Sequence, residues 1–340
     1  MTAITRPSGT GVAAGPIGGP IGTVVTFAVG RPVYAELAVN FARSFLHWNR
    51  DSGLELLIVT DCEPVPAPDL RGVRWHRLPE GDTRGFAAKL EMDRLVPPRP
   101  TLFIDVDCLV TGSLLPLFRR WAGKPWALPG RAERTGHFYA DIPPLLARTG
   151  LPWLPVFVSS VLYWEPGPVA SQVFGTARSL LPHYDELGLQ RLRGLESDEP
   201  LIALAMATHG ITPVEDDGSV KADAHLFDFP PQIDVLGGRV WFRNRDPSAA
   251  GRVIRNPLTD ARPLVAHFNS TYAFQSPYRR EAMILRLVHA RAWPAPLARA
   301  AARLVVDVPA GLATGTKRLL RPIFHRLFGV RRIRPSARET

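Results

Sequence analysis

The chain has 340 residues and is 46% hydrophobic, enough for one large α/β domain with appendages or for two modest domains, each with a real core. Its two cysteines, Cys62 and Cys108, exclude a disulfide framework and fit a reducing compartment, and no run approaches the roughly 18 to 20 apolar residues of a membrane span. Residues 279–340 hold 14 of the 41 basic and 3 of the 31 acidic residues, a net +11 that leaves −1 for the rest; a neutral body with a basic tail fits an anchored enzyme and excludes a nucleic-acid-binding domain.

The stretch over 1–21 is rich in glycine and proline, has one arginine and no apolar core, and reads as a disordered leader rather than a signal peptide. Residues 22–30, GTVVTFAVG, are apolar and β-branched and predict a buried first strand that includes Thr26. Leu37, Phe41, Phe45 and Trp48 then fall on one face of a helix over 31–49, with Tyr34 near its start. A second strand is expected at 54–61 and a short third at 73–79. A helix carrying Lys89 follows at 85–96, stopped by Pro97-Pro98. The next strand, TLFIDVDCLVTGSL at 101–114, carries Asp105 and Asp107. Strands alternating with helices predict a mostly parallel central sheet, whose ligand crevice lies at the carboxyl ends of its strands.

Asp105 and Asp107 stand at such an end. A turn explains one aspartate well and two poorly. Residues i and i+2 of an extended segment point to the same side, so two carboxylates there repel unless a cation or a proton intervenes. A hard divalent cation with open positions for phosphate oxygens resolves the conflict. Further on, ESDEPLIALAM at 196–206 predicts a helix with Asp198 as its N-cap, and EDDGS at 215–219 an acidic turn.

In this order the segments resemble the nucleotide-sugar-dependent glycosyltransferases of the GT-A fold, and among them family 8, the glycogenin-like group. The resemblance covers about residues 22–280. It rests on VVTFAVG running into Tyr34, on the Lys-Leu helix and Asp-x-Asp strand at 85–114, on PVFVSSVLYWEPG at 155–167, on ESDEPLIALAM, and on LVAHFNSTY at 264–272. It implies a retaining transferase that moves a sugar from a nucleotide diphosphate to a hydroxyl acceptor. It also implies Mn²⁺ or Mg²⁺ on Asp105, Asp107 and His267. Thr26, Tyr34, Lys89, Asp105, Ser159 and Ser160 would hold the nucleotide sugar, and Asp198 and Lys89 would act nearest the reacting carbon. The sequence departs from the family where an Asn-Ser/Ala-Gly triplet is usual, and where Ser270 and Ala273 replace a glycine and a diphosphate lysine. Arg279 and Arg280 are the cations nearest that gap. An imidazole ligates metal only when neutral, so an ordinary His267 would lose metal below about pH 6.5.

Beyond residue 280 lies a basic, amphipathic helical tail. Leu319, Leu320, Ile323, Phe324, Leu327 and Phe328 share one side of a helix interrupted at Pro322, with Arg318, Arg321 and Arg326 beside them. This suits an interfacial helix on an anionic lipid surface, or a helix packed on the body with a solvated basic face. The expected organisation is a leader at 1–21, a GT-A domain at 22–280 and the tail at 281–340. The expected location is cytoplasmic, peripheral on the inner face of a membrane, in cell-surface glycan or glycolipid synthesis. Two rivals stand beside it. One is a GT-A-like protein that binds nucleotide sugar, or acts as a scaffold, without turnover. The other is a haloacid-dehalogenase-like phosphatase with Asp105 as nucleophile, which fits poorly because two βα units precede that strand.

Overall fold

The computed structural model describes residues 19–65, 67–79, 85–245 and 258–329; most of the expected leader and the last residues of the tail lie outside them. The chain is mixed α/β. A six-stranded sheet runs in the order Arg74–Arg77, Leu54–Thr60, Gly22–Ala28, Thr101–Ile104, Val161–Trp164, Trp126–Ala127. The first four strands are mutually parallel, and Val161–Trp164 lies antiparallel to both of its neighbours.

Side chains alternate across this sheet and both faces are apolar, as a sheet covered on both sides requires. Val24, Leu56, Leu102 and Ile104 face the helix Pro32–Asn49, which buries Leu37, Phe41 and Phe45 as its spacing predicts. Val25, Leu57, Val59 and Phe103 face the helices Pro168–Leu180 and Asp198–Thr208. Trp48, at the edge of the first helix, is half-buried and donates its indole N–H to the Val235 carbonyl at 3.0 Å.

Two local expectations change. Residues 85–96 form a 3₁₀ helix, Gly85–Glu91, and then one short α-turn, Met92–Leu95, rather than a single α-helix. Ala87 and Leu90, three apart and therefore eclipsed in a 3₁₀ helix, are both buried. Val96 is extended, as a residue before proline prefers. The strand expected over 101–114 is two strands: Thr101–Ile104 ends in the central sheet, residues 105–107 turn, and Cys108–Val110 enters a second sheet. That sheet has the order Lys221–Asp223, Val265–His267, Cys108–Val110, with Asp223 opposite His267 and His267 opposite Cys108.

The basic tail has two parts. The helix Tyr278–Arg291 spans the expected boundary at 280 and buries Ala282, Ile284 and Leu285. The helix Ala295–Ala302 covers Ile284 and Leu287 with Ala298 and Ala302. After a π-helical turn at Arg303–Asp307, the helix Val308–Phe328 buries no residue and runs through Pro322 without interruption. Among the described residues, no helix is long and apolar enough to cross a membrane. A chain ending after residue 310 should therefore melt as the full chain does. A chain ending after residue 291 uncovers Ile284 and Leu287 and should lose on the order of 2–4 kcal/mol in urea denaturation, since fully burying one such side chain is worth about 1.5–3 kcal/mol.

Candidate metal and donor site

The turn at 105–107 is pinned at both ends by backbone. The Asp105 N–H donates to the Ser160 carbonyl at 3.0 Å, and the Phe268 N–H donates to the Asp107 carbonyl at 3.1 Å. The two aspartates thus sit where the central sheet hands the chain to the small one. His267 arrives from the neighbouring strand. Its Nε2 lies 3.0 Å from Asp107 Oδ1 and 3.8 Å from Asp105 Oδ2. Ligand atoms bound side by side to one ion through bonds of about 2.1 Å stand about 3 Å apart or slightly more, so this donor set fits a single divalent cation. Cys108 also brings its sulfur into the group, within 4.8 Å of the Asp107 and His267 ligand atoms. Burial pushes its thiol well above the ordinary value, with Asp107 and Asp105 adding to the effect. A protonated thiol is a poor partner for a hard cation, and Asp105 is the better third ligand.

On the other side of Asp105, Lys89 Nζ lies 2.7 Å from Oδ1 and 3.9 Å from Asp198 Oδ2. The ammonium also stands 4.9 Å over the Phe103 ring. Asp198 accepts from Ser159 Oγ at 3.1 Å. Lys89, Asp105, Asp107, Ser159, Asp198 and His267 are thus connected as one cluster. The N-cap of the helix Asp198–Thr208 is Ser197, whose hydroxyl accepts from the Glu199 N–H; Asp198 is the first helical residue. Its carboxylate is turned to Lys89 and Ser159 instead of capping. Thr26 and Tyr34 make no hydrogen bond to this cluster among the described residues. Thr26 is sealed in its strand with its hydroxyl unpartnered, and Tyr34 is a half-buried residue of the first helical turn. Arg280 is tied to Glu281 at 2.9 Å and Asp307 at 3.3 Å.

Four site-wall residues escaped the sequence reading. Asp223 accepts from His267 Nδ1 at 2.5 Å and from Lys221 Nζ at 2.9 Å. Glu199 accepts from the Ser159 N–H and the Tyr139 hydroxyl, each at 2.8 Å. Tyr139 holds a left-handed backbone, φ 58°, unusual for a bulky residue and the kind of local strain that clusters at functional sites. The i, i+2 spacing of Lys221 and Asp223 places them on one side of a strand and was the available signal for that pair.

Electrostatics follow from burial. Burial raises the Asp105 carboxyl above its ordinary range despite Lys89 and His267. Burial also pushes Asp198 up to about 6, with Glu199 and Asp105 adding to it and Lys89 opposing. Asp107 lies below the ordinary range, because the His267 charge and hydrogen bond together outweigh burial. For His267, burial favours the neutral ring, but Asp107 and Asp223 outweigh it and push the value up to about 10. Without metal the ring is therefore an imidazolium across the physiological range, and a metal ion has to displace its proton.

No protein-family model matches this sequence, and none of the curated proteins matches it. Solved structures do. The galactosyltransferase LgtC, in complex with donor and acceptor sugar analogs, is 14% identical over 82% of this chain and 95% of that chain, with a TM-score of 0.47. The bifunctional glycosyltransferase WbbM, in its apo structure, is 12% identical over 78% of this chain and 49% of that chain, with a TM-score of 0.47. The apo-form glycosyltransferase GlyE of Streptococcus pneumoniae TIGR4 is 17% identical over 57% of this chain and 45% of that chain, with a TM-score of 0.40. At these identities and TM-scores, function rests on the chemistry of the site itself.

The raised value of His267 sets the pH window in which a metal could bind here. A group that must lose a proton to bind gains affinity about tenfold per pH unit up to its own pKa. Mn²⁺ titrated by electron paramagnetic resonance should bind about tenfold tighter at pH 8 than at pH 7. An affinity flat between those values would mean that His267 titrates near its ordinary 6.5.

Proposed function

We propose that this chain is a metal-dependent GT-A glycosyltransferase that transfers a sugar from a nucleotide diphosphate sugar to a hydroxyl-bearing glycan or lipid-linked acceptor, with retention. One observation carries the reading. His267 Nε2 meets Asp107 at 3.0 Å and Asp105 at 3.8 Å, at the carboxyl edge of a parallel sheet where such folds hold their ligands. Mn²⁺ or Mg²⁺ on these three residues would neutralise the charge that develops on the leaving diphosphate.

The chain's own residues supply the rest. Lys89 keeps its proton, because Asp105 and Asp198 outweigh the burial that opposes it, and so offers a fixed positive charge beside the phosphates. Asp198, oriented by Ser159, is the carboxylate positioned for donor hydroxyls next to the reacting carbon. Ser160 holds the Asp105 N–H through its backbone carbonyl.

The exposed helix Val308–Phe328 carries Lys317, Arg318, Arg321 and Arg326, and no acid. Leu319, Ile323, Leu327 and Phe328 are each more than half exposed on it. We assign it to an anionic lipid surface, which would hold the enzyme at the inner face of a membrane where lipid-linked acceptors are extended.

A second reading has its own support. Arg280, a candidate for the missing diphosphate lysine, is engaged with Glu281 and Asp307, as expected of a protein that binds nucleotide sugar without turning it over. Donor-induced stabilisation with neither transfer nor hydrolysis would favour that reading.

Two outcomes test the proposal. Asp107→Asn should still fold, with a lowered melting temperature from the lost His267 partner, and should abolish the Mn²⁺-dependent stabilisation by nucleotide sugars, which for native protein reaches about 2.7 kcal/mol at a ligand concentration of 100 Kd; retained stabilisation would remove Asp107 from the site. A chain ending after residue 310 should keep that stabilisation and lose co-sedimentation with anionic vesicles. For the full chain, vesicle binding should weaken as salt screens charge beyond roughly 8 Å, and equal partitioning of the two chains would end the membrane assignment.

A further inference from the structure

Among the described residues, Asp223 is the most deeply buried charged side chain. It is fully buried, on the middle of no loop and at no surface, in the strand Lys221–Asp223. Its Oδ1 accepts from His267 Nδ1 at 2.5 Å and from Ser160 Oγ at 3.3 Å, and its Oδ2 accepts from Lys221 Nζ at 2.9 Å. Lys221 is itself buried, with Asp216 3.8 Å away as a second, weaker partner. A buried lysine–aspartate pair by itself adds little stability, because desolvating both ions costs about as much as their attraction returns. A pair of matched apolar residues would serve a core as well. What distinguishes this pair is the third partner: the carboxylate is aimed at the ring nitrogen of His267 that faces away from Asp105 and Asp107.

A histidine presents a lone pair on one nitrogen only when the other holds the proton, and the hydrogen bond to that other nitrogen decides which tautomer exists. Resting on the metal reading above, we propose that Asp223, kept ionised and immobile by Lys221, is the positioning residue of the metal site. It holds the proton on Nδ1 and turns Nε2 toward the two aspartates. The parallel ladder fixes this contact by register, since Asp223 and His267 are paired residues of adjacent strands. Through Ser160 the same carboxylate also grips the turn whose carbonyl holds the Asp105 N–H. Asp223 thus joins the strand that brings the histidine to the loop that orients the first aspartate, and one side chain sets the spacing of two ligands from opposite sides of the site.

The test uses the full chain and Mn²⁺ alone, without nucleotide, titrated by electron paramagnetic resonance. Asp223→Asn preserves size and removes the charge; it should weaken Mn²⁺ binding roughly 10- to 100-fold, as loss of an outer partner does at other sites. Lys221→Met should weaken it in the same direction. In a His267→Ala background, Asp223→Asn should cost far less, because only its weaker hold on the Ser160 turn is left to lose. A purely structural role would give the same loss with and without the imidazole, and that additivity would overturn the inference, as would native affinity in Asp223→Asn. Native protein that binds no Mn²⁺ would instead overturn the metal reading, before Asp223 is reached. Should Asp223→Asn fail to fold, the native chain loaded with diamagnetic Zn²⁺ still decides the matter. Long-range proton–nitrogen spectra should show His267 protonated at Nδ1, and the opposite tautomer would refute the role.

Discussion

Crowded negative charge is the constraint on which this structure turns. Asp105, Asp107, Asp198, Glu199 and Asp223 converge at the junction of two sheets, against Lys89, Lys221 and the ring of His267. Burying an uncompensated carboxylate is costly, and a group so placed either takes up a proton or finds a cation. The chain shows both responses. Asp198 and Asp105 move toward the neutral form, while His267 is drawn to its charged form by Asp107 and Asp223. A fold selected for stability alone has little reason to gather five acids in one place. A site built to receive a divalent cation and a diphosphate has a direct one.

The architecture serves that gathering. Parallel strands end on the same side, which brings Asp105 to the crevice edge. The turn at 105–107 then lets the chain change sheets, and the small sheet delivers Asp223 and His267 from 116 and 160 residues beyond Asp107. The helix Asp198–Thr208 adds Asp198 and Glu199 at its amino end, where the helix dipole favours negative charge. Three elements thus place the five acids: the turn at 105–107, the amino end of the helix Asp198–Thr208 and the strand Lys221–Asp223.

How much of this was legible in the sequence depended on whether the signal was local. Two aspartates one residue apart at the end of an apolar run, and a histidine in a late strand, announce themselves by type and spacing. Asp223 did not, because a short strand with a lysine and an aspartate reads as a solvated edge until the strand beside it is known. Glu199 reads as an ordinary acid in a first helical turn, and Asp198 reads as the cap although Ser197 precedes it and caps the helix. The single helix expected at 85–96 failed because spacing of three and four residues does not separate a 3₁₀ turn from an α-turn. In the tail, Tyr278–Arg291 and Val308–Phe328 share the same mixture of arginine and leucine. Only tertiary contact distinguishes the helix that closes over the core from the one left open.

Asp105, Asp107 and His267 should together hold one divalent cation. Anomalous X-ray scattering from crystals of the full chain grown with Mn²⁺ and a nucleoside diphosphate tests it most directly. One strong peak is expected at bonding distance, about 2.1 Å, from His267 Nε2 and from a carboxylate oxygen of each aspartate. A site without a peak under saturating Mn²⁺, or a peak bound elsewhere with His267 still hydrogen-bonded to Asp107, would contradict it.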